Sequence, residues 1–353
     1  MKALLLEGGG ARGAYQVGAI KALNKKGLVF DAAGGTSIGA INAAFYVIHS
    51  FDALYKLWSS TSSNELFGID PKLLDQLSDG KLTIDELKKG FTTIVNIVKS
   101  RGIDTTNMKK IISRYIKEDR FMRSKIEYGI NTYNLSDRKP VMMFKKDIPK
   151  GKLSECILSS AYLPFFKLEK IIDDKYYLDG GLHENCPIDS FVDAGYDEIY
   201  VIRNWQSKLK YKNRKGVRVH IITPREDLGS IMRFTKASAE YKMNLGYYDT
   251  IKYIDQLDGN KYYFKHYSSE YYSHLFDSFA KKGIIKKYNK GLPIKNDKEF
   301  IIKIIEQACE DLNIERFKIY NMPYLLTKLK LKVVNNQNNK YYYFIKNIKI
   351  DFG

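Results

Sequence analysis

The chain has 353 residues, enough for one large domain or two, and 44% of them are hydrophobic and 13% aromatic, which predicts a soluble globular protein with a sizeable core. The formal net charge is +18, from 58 basic and 40 acidic residues. This excess indicates an anionic partner, such as nucleic acid, an acidic membrane surface or an anionic substrate, or else only a lysine-rich surface that keeps the protein in solution.

The cysteines and the first residues indicate the cellular compartment in which the protein is expected. Cys156, Cys186 and Cys309 are odd in number and widely spaced, which excludes a disulfide framework and suits a reducing compartment. The apolar run over residues 3–6 is too short for a signal peptide, and no stretch is long enough to span a bilayer. We therefore expect a cytoplasmic protein with at most peripheral contact at a membrane, although export without a leader is compatible with the same sequence.

Strand, loop and helix alternate twice in the first fifty residues. A strand over residues 2–6 leads through a glycine-rich loop into a helix that we expect to end at Gly27. A second short strand over residues 28–33 leads into a helix that begins near Ile38. Two strands joined by a helix make a right-handed crossover, which predicts a parallel sheet.

The rest of the chain divides near residue 260. Residues 52–125 predict a helical insertion beside the sheet, and "SECILSSAYLPFF" predicts a helix stopped by Pro164. Further strands are predicted in "IEYGINTYNL", "KYYLDGG", "EIYVIRNW" and "VRVHIITP". In the last part, residues 261–353, period-two alternation on both sides of "NNQNN" predicts a β-hairpin.

The opening loop, "EGGGARG", fits two chemistries. Gly8, Gly10 and Gly13 satisfy G-x-G-x-x-G between a strand and a helix, and Asp31 lies near the expected position of a ribose-binding acid, as in a dinucleotide-binding loop. The same bare amides at a helix N-terminus can instead stabilise the oxyanion of an ester hydrolysis. On this second interpretation, Asp31 is structural.

The next motif favours the second interpretation. "GTSIG", with Ser37 between Gly35 and Gly39, is G-x-S-x-G between a short apolar run and a helix, which is the context of a nucleophile elbow. The glycines give room for a sharp turn that exposes the serine. The alternative is a tight turn whose serine only caps the helix. Because neighbouring parallel strands end at one edge of a sheet, we expect the opening loop and the elbow to meet.

A serine nucleophile needs a general base, and "LDGGLHENCPID" offers the candidate. Asp179 falls at the end of a predicted strand, at the edge where ligands collect. Gly180 and Gly181 then permit a tight turn. His183 follows in the same segment, but we interpret it as a loop residue.

Three segments in this order, "EGGGARGAYQVGAI", "GGTSIGAINA" and "LDGGLHENCPI", resemble the patatin-like phospholipase family. "SSAYLPFF" adds a weaker resemblance to the family's helix that ends at a proline. The resemblance covers residues 1–205 and extends diffusely to about 255. It implies a three-layer α/β fold with a central, mainly parallel sheet in a catalytic domain of residues 1–260, with a smaller α+β region in 261–353.

The resemblance also implies the site residues. Ser37 is then the nucleophile and Asp179 its base, acting directly and without a histidine. The oxyanion hole implied is formed by Gly8, Gly9 and Gly10, and Arg12 supports the loop or contacts an anion. Gly35 and Gly39 are then the glycines of the elbow, and Gly180 and Gly181 those of the turn after Asp179. The reaction implied is hydrolysis of a lipid acyl ester through an acyl-serine, with no cofactor and no metal.

The substrate implied is a phospholipid, a lysophospholipid or an acylglycerol. An anionic membrane would suit the positive charge, and nucleic acid is disfavoured as a partner. The helices between residues 52 and 125 either line an acyl groove or pack as ordinary core. An acyltransferase on the same fold and a non-catalytic lipid- or nucleic-acid-binding protein are the alternatives. An NAD-dependent oxidoreductase would leave "GTSIG" and the Asp-Gly-Gly turn unexplained.

Overall fold

The structure is a computed structural model that describes residues 1–67, 102–280, 296–334 and 341–347. It divides into two compact units, Met1–Thr250 and Ile251–Gly353, so the division falls about ten residues before the boundary predicted near residue 260. The described part of the expected insertion over 52–125 is mostly helical. Residues 68–101 of that insertion lie outside the described residues.

The first unit is built on a mixed sheet. In the described part of the chain the sheet has eight strands, in the order β5-β6-β3-β2-β1-β7-β8, with β4 paired to β3. The strands are β1 Lys2–Leu6, β2 Ala32–Thr36, β3 Glu127–Asn134, β4 Lys139–Phe144, β5 Lys170–Ile172, β6 Lys175–Asp179, β7 Glu198–Ile202 and β8 Arg218–Ile222. The strands from β3 through β2, β1 and β7 to β8 are parallel, whereas β4 and β6 run antiparallel to β3.

Helices cover both faces of this sheet. The helices of the first unit are α1 Ala14–Lys25, α2 Ile38–Val47, α3 Phe51–Ser60, α4 Ser63–Phe67, α5 Thr106–Tyr115, α6 Glu118–Arg123, α7 Leu153–Ser160, α8 Ile188–Asp193 and the start of α9 Lys236–Asp255. A Cβ at Gly129 of β3 would touch Phe191 of α8, so α8 lies on that face. Its neighbour Tyr128 points the other way and donates to the carbonyl of Ala40 in α2. The fold is therefore a three-layer α/β arrangement with a mainly parallel sheet, as expected.

The second strand differs from the prediction. The expected strand over residues 28–33 followed the apolar run, but β2 begins at Ala32 and continues through two glycines to Thr36. The reason is the register with β1, in which Leu5 pairs with Gly34 and Leu6 with Gly35. Backbone pairing in the centre of the sheet, rather than side-chain hydrophobicity, sets the limits of this strand.

The second unit contains the remaining helices and a short two-stranded parallel pair. Its elements after α9 are β9 Tyr263–Phe264, α10 Ser269–Ala280, α11 Asp297–Asp311, β10 Ile319–Tyr320, α12 Met322–Val334 and α13 Tyr342–Asn347. None of the helices in the described ranges is long and apolar enough to cross a membrane.

The predicted C-terminal β-hairpin is wrong. Its first arm is the helix α12, and residues 342–347 of its second arm form α13. In α12 the buried side chains of Leu325, Leu326, Leu329 and Val333 follow helical spacing, while Leu331 is 68% exposed. The alternating Leu and Lys residues imitate a strand because positions four apart share a helix face and also share a strand face.

Candidate active site

Ser37 occupies a strained turn between β2 and α2. Its φ is 57° and its ψ is −128°, and such a positive φ is rare for a residue with a side chain. A Cβ at Gly35 would lie 2.1 Å from the carbonyl oxygen of Leu6, and a Cβ at Gly39 would lie 2.0 Å from the same atom. The two glycines of the motif are therefore required because β1 passes directly beneath the turn.

Asp179 reaches Ser37 across β3. Thr36 pairs with Asn131 of β3 on one side, and Asp179 pairs with the next residue, Thr132, on the other side. Although β6 runs antiparallel to β3, this register places Asp179 level with Thr36, the last residue of the parallel strand β2. Asp179 therefore lies at the edge where the parallel strands end, beside Ser37.

The Asp179 carboxyl is buried and hydrogen-bonded. It is 4% exposed, accepts the Gly181 N–H at 2.8 Å, and lies near enough to the Ser37 side chain for that hydroxyl to influence its pKa. Burial raises the pKa of Asp179 from 3.8 to about 6, and the Ser37 hydroxyl and the Gly181 N–H oppose this shift. A carboxyl with this pKa is ionised at neutral pH and can still accept a proton readily.

The glycine-rich loop lies beside this pair. Gly9 and Gly10 line the same cleft as Ser37 and Asp179, and among the described residues their amides have no protein acceptor. Gly9 precedes and Gly10 begins the 3₁₀ turn that leads into α1, so both stand at a helix N-terminus where backbone N–H groups are unpaired.

Gly8 does not share this arrangement. Its N–H donates to the Asn185 carbonyl at 3.2 Å, and its own carbonyl accepts from Trp205 Nε1 at 3.0 Å and from Asn185 Nδ2 at 3.3 Å. The predicted oxyanion hole of Gly8, Gly9 and Gly10 therefore needs a correction, because the Gly8 amide is already bonded within the fold. Gly9 and Gly10 are the two candidates that the geometry leaves.

A buried ion pair anchors the start of the loop. Glu7 is 2% exposed and contacts Arg203 at 2.8 Å, and its carboxylate also accepts the backbone N–H groups of Asn204 and Trp205 at 2.7 Å and 3.2 Å. Buried charges are tolerated when they are paired and hydrogen-bonded in this way. The pair fixes the last residue before the glycines to the end of β7.

Arg12 holds the far side of the loop. Its Nε donates to the Gly229 carbonyl at 2.7 Å, an Nη nitrogen lies 3.2 Å from Asp227, and the guanidinium stacks 3.8 Å from the centre of the Trp205 ring. Of the two roles expected for Arg12, these contacts favour loop support over contact with an anion.

The cleft above Ser37 is apolar and continues into a second chamber. The first cavity is lined mainly by apolar side chains that include Leu163, Phe166 and Met232. The second is lined mainly by apolar side chains of α2, α3, α4 and α5. Both cavities share four lining residues, which are Ile38, Ile41, Met108 and Phe234.

The structure brings together most of the residues that the sequence indicated. Ser37, Asp179, Gly9, Gly10 and Gly181 line one cleft. Gly35 and Gly39 shape the elbow, and Gly180 packs against β3. His183 is exposed and is not among the residues that line the cleft.

Sequence reasoning missed other residues of the site. Asn131 and Ser160 connect the two turns through hydrogen bonds, and Met108 and Phe234 line both cavities. Ser160 lies in the "SSAYLPFF" segment that resembles the family, but that resemblance gives this serine no role, and nothing in the local sequence distinguishes the other three from ordinary core residues. The described residues contain no group of three His, Cys, Asp or Glu side chains that could hold a metal ion.

A serine on a strand–turn–helix elbow, beside a buried acid and unpaired loop amides, is the arrangement of the serine hydrolases that use a nucleophile elbow. A sequence profile of the Patatin-like phospholipase family matches residues 4–192, more than half of the chain. The chain therefore belongs to the patatin-like phospholipase family. This membership decides against a dinucleotide-binding function for the opening loop.

Fungal lysophospholipases are similar to parts of the chain. A lysophospholipase nte1 of Aspergillus terreus is 63% identical over 43 residues, 12% of this chain and 3% of the relative. A lysophospholipase nte1 of Neurospora crassa is 28% identical over 201 residues, 56% of this chain and 12% of the relative. The chain thus spans a small fraction of the length of these relatives.

Solved structures are similar over most of the chain but only loosely. VipD from Legionella pneumophila has a TM-score of 0.40 and 13% identity, over 98% of this chain and 85% of VipD. The type III effector protein ExoU has a TM-score of 0.33 and 15% identity, over 96% of this chain and 66% of ExoU.

Substitution of the buried acid tests its environment. Because the folded pKa of Asp179 is raised, the native state loses stability relative to the unfolded chain as the pH rises from 3.8 to about 6, and the loss persists above that pH. Asp179→Asn keeps the size and the acceptor oxygen but removes the charge. We expect this variant to be more stable than the wild type at about pH 7, by at most about 3 kcal/mol, and to lose this advantage at about pH 4.

Urea unfolding of both proteins at the two pH values measures this difference. Asp189→Asn, in the same segment but not among the cleft residues, is the control. An Asp179→Asn advantage that is equal at both pH values would contradict the assigned pKa.

Proposed function

We propose that this protein hydrolyses lipid acyl esters, in the manner of a phospholipase A or a lysophospholipase, with Ser37 as nucleophile and Asp179 as general base. The observation that carries the proposal is that Ser37, on its strained turn, and the buried acid Asp179 line one apolar cleft together with Gly9 and Gly10. Membership of the family and the names of its relatives support the same class of substrate.

The reaction proceeds in two steps. Asp179 takes the hydroxyl proton of Ser37 as the Oγ atom bonds to the ester carbonyl carbon, and the amides of Gly9 and Gly10 stabilise the oxyanion. Collapse of this intermediate breaks the ester C–O bond, and the leaving alcohol takes the proton from Asp179. Asp179 then deprotonates a water that attacks the acyl-serine, which releases the fatty acid and returns the proton to Ser37.

We expect the second cavity to hold the acyl chain of the substrate. A chain whose carbonyl lies at Ser37 can extend past Met108 and Phe234 into the cavity among α2, α3, α4 and α5. Each buried methylene contributes about 0.8 kcal/mol of transfer free energy, so this cavity favours long chains over short ones.

An anionic membrane surface is the interface at which we expect the substrate. Support comes from the formal net charge of +18, because basic residues near an anionic bilayer contribute about 1 kcal/mol each within a Debye length.

The proposed catalytic pair of Ser37 and Asp179, the dyad, is tested with a medium-chain aryl ester as substrate. We expect Ser37→Ala and Asp179→Asn to fall to near-background rates, whereas Asp189→Asn retains wild-type activity. Because Asp179 must be ionised, the wild-type kcat/KM is expected to rise with pH through about 6. A fluorophosphonate probe is expected to label the wild type and not Ser37→Ala. Equal rates in all four proteins would refute the dyad. Transfer of the acyl group to an added alcohol acceptor, instead of to water, would indicate an acyltransferase.

The second chamber is tested by filling it. Thr61 lines this cavity but not the first one, so we expect Thr61→Phe to raise KM for long-chain esters about tenfold or more and to leave short-chain esters unchanged. Thr61→Val, of the same size as threonine, is the control. An equal effect of Thr61→Phe on all chain lengths would contradict the assignment of this cavity to the acyl chain.

The membrane interface is tested by sedimentation with vesicles. We expect the protein to bind phosphatidylserine vesicles at low salt, to dissociate at high salt, and not to bind phosphatidylcholine vesicles, because the attraction is electrostatic. Equal binding to both kinds of vesicle would show that charge does not direct the contact.

A further inference from the structure

One buried hydroxyl outside the proposed dyad contacts the backbone of the elbow. Ser160, the last residue of α7, is fully buried. Its Oγ accepts the backbone N–H of Ser37 at 2.9 Å and donates to the carbonyl of Asn131 at 2.7 Å. This hydroxyl therefore acts as an acceptor toward the elbow and as a donor toward β3.

The same strand residue also holds the turn that carries Asp179. The Asn131 side-chain nitrogen donates to the carbonyls of Gly180 and Glu184, at 3.2 Å and 2.6 Å. A Cβ at Gly180 would lie 2.2 Å from the Asn131 carbonyl oxygen, so this turn packs directly on the strand. A continuous series of hydrogen bonds therefore runs from the Ser37 N–H through Ser160 and Asn131 to the residues that follow Asp179.

We propose that Ser160 is a positioning residue for the proposed hydrolysis: together with Asn131 it fixes the strained elbow relative to the Asp179 turn, so that the Ser37 hydroxyl stays within hydrogen-bond reach of the carboxylate. This inference rests on the proposed function. Ser160 touches neither the ester nor the reacting oxygen, and it acts only through the backbone of Ser37.

The conformation of Ser37 is the reason that such a support matters. A non-glycine residue at φ 57° keeps this conformation only if its surroundings enforce it. Without the Ser160 oxygen, the buried N–H of Ser37 would have no acceptor, and rotation of the elbow would relieve both the strain and the unpaired donor. A shift of about 1 Å in a nucleophile can reduce the rate about a hundredfold.

The neighbouring serine provides a matched control. Ser159 is also fully buried in α7, but its hydroxyl donates to the Cys156 carbonyl, within its own helix, at 2.7 Å. Ser159→Ala and Ser160→Ala therefore remove the same atom from adjacent buried positions, and only the second change removes a contact to the elbow.

The experiment compares the full-length wild type, Ser160→Ala and Ser159→Ala by kcat and KM on the aryl ester, by the rate of fluorophosphonate labelling, and by Tm. We expect Ser160→Ala to lower kcat about tenfold to a hundredfold with KM unchanged, and to slow labelling by a similar factor. Ser159→Ala is expected to keep the wild-type kcat even if its Tm falls. A purely structural role would lower the Tm of both variants and leave the kcat of the folded protein unchanged.

Ser160→Cys covers the case in which the alanine variant does not fold. The thiol has nearly the size of the hydroxyl but is a weak acceptor, so we expect a kcat between those of the wild type and Ser160→Ala. A folded Ser160→Ala, or failing that Ser160→Cys, with wild-type kcat and labelling overturns the inference and leaves the proposed function intact. A wild type that neither hydrolyses the ester nor reacts with the probe refutes the proposed function, and with it this inference.

Discussion

The Leu6 carbonyl oxygen lies between two positions that can only be glycine, and the rest of the site depends on this close approach. Gly35 lies near the end of β2 and Gly39 is the second residue of α2, and a Cβ on either would lie about 2 Å from that oxygen. Because Leu6 ends β1, the glycine-rich loop must start directly beside the elbow. The distance between the loop amides and Ser37 is thus set by backbone packing in the centre of the sheet, where little can move.

Two buried carboxylates near this point have different environments. Glu7 is neutralised by Arg203 and accepts two backbone N–H groups. Asp179 has the Ser37 side chain and the Gly181 N–H as partners, with no cation among the causes of its pKa shift. Burial raises the pKa of both carboxyls, but at Glu7 the hydrogen bond and charge of Arg203 oppose this shift, whereas no cation opposes it at Asp179. Glu7 anchors the loop through these contacts. Their contacts, rather than their residue type, separate a structural role from the proposed chemical one.

The sequence was sufficient for the parts of the site that depend on local geometry. A strand–turn–helix elbow needs glycines at fixed offsets from Ser37, and a tight turn after Asp179 needs Gly180 and Gly181, so these features can be recognised from spacing alone. Gly8 was assigned wrongly because its partner is a backbone carbonyl, that of Asn185, which no residue type reveals.

Ser159 and Ser160 show why the remainder of the site could not be predicted. They are adjacent, identical and equally buried, and only the end of α7 determines which hydroxyl faces the elbow. The C-terminal hairpin failed for a related reason, since alternating Leu and Lys residues satisfy strand and helix periods over a short run and tertiary burial decides between them.

β3 connects these observations. It lies between β2 and β6, with Thr36 opposite Asn131 and Asp179 opposite Thr132. Two consecutive residues of β3 therefore pair with the residues at which the two turns begin. A strained φ at Ser37 and a desolvated charge at Asp179 each destabilise the native state. Both persist because the strand between them is paired on both sides and buried, and because its Asn131 hydrogen-bonds directly to the Asp179 turn and through Ser160 to the elbow. The centre of the sheet therefore supplies the rigidity that the proposed mechanism requires, since a carboxylate that acts without an intervening histidine must meet the serine directly.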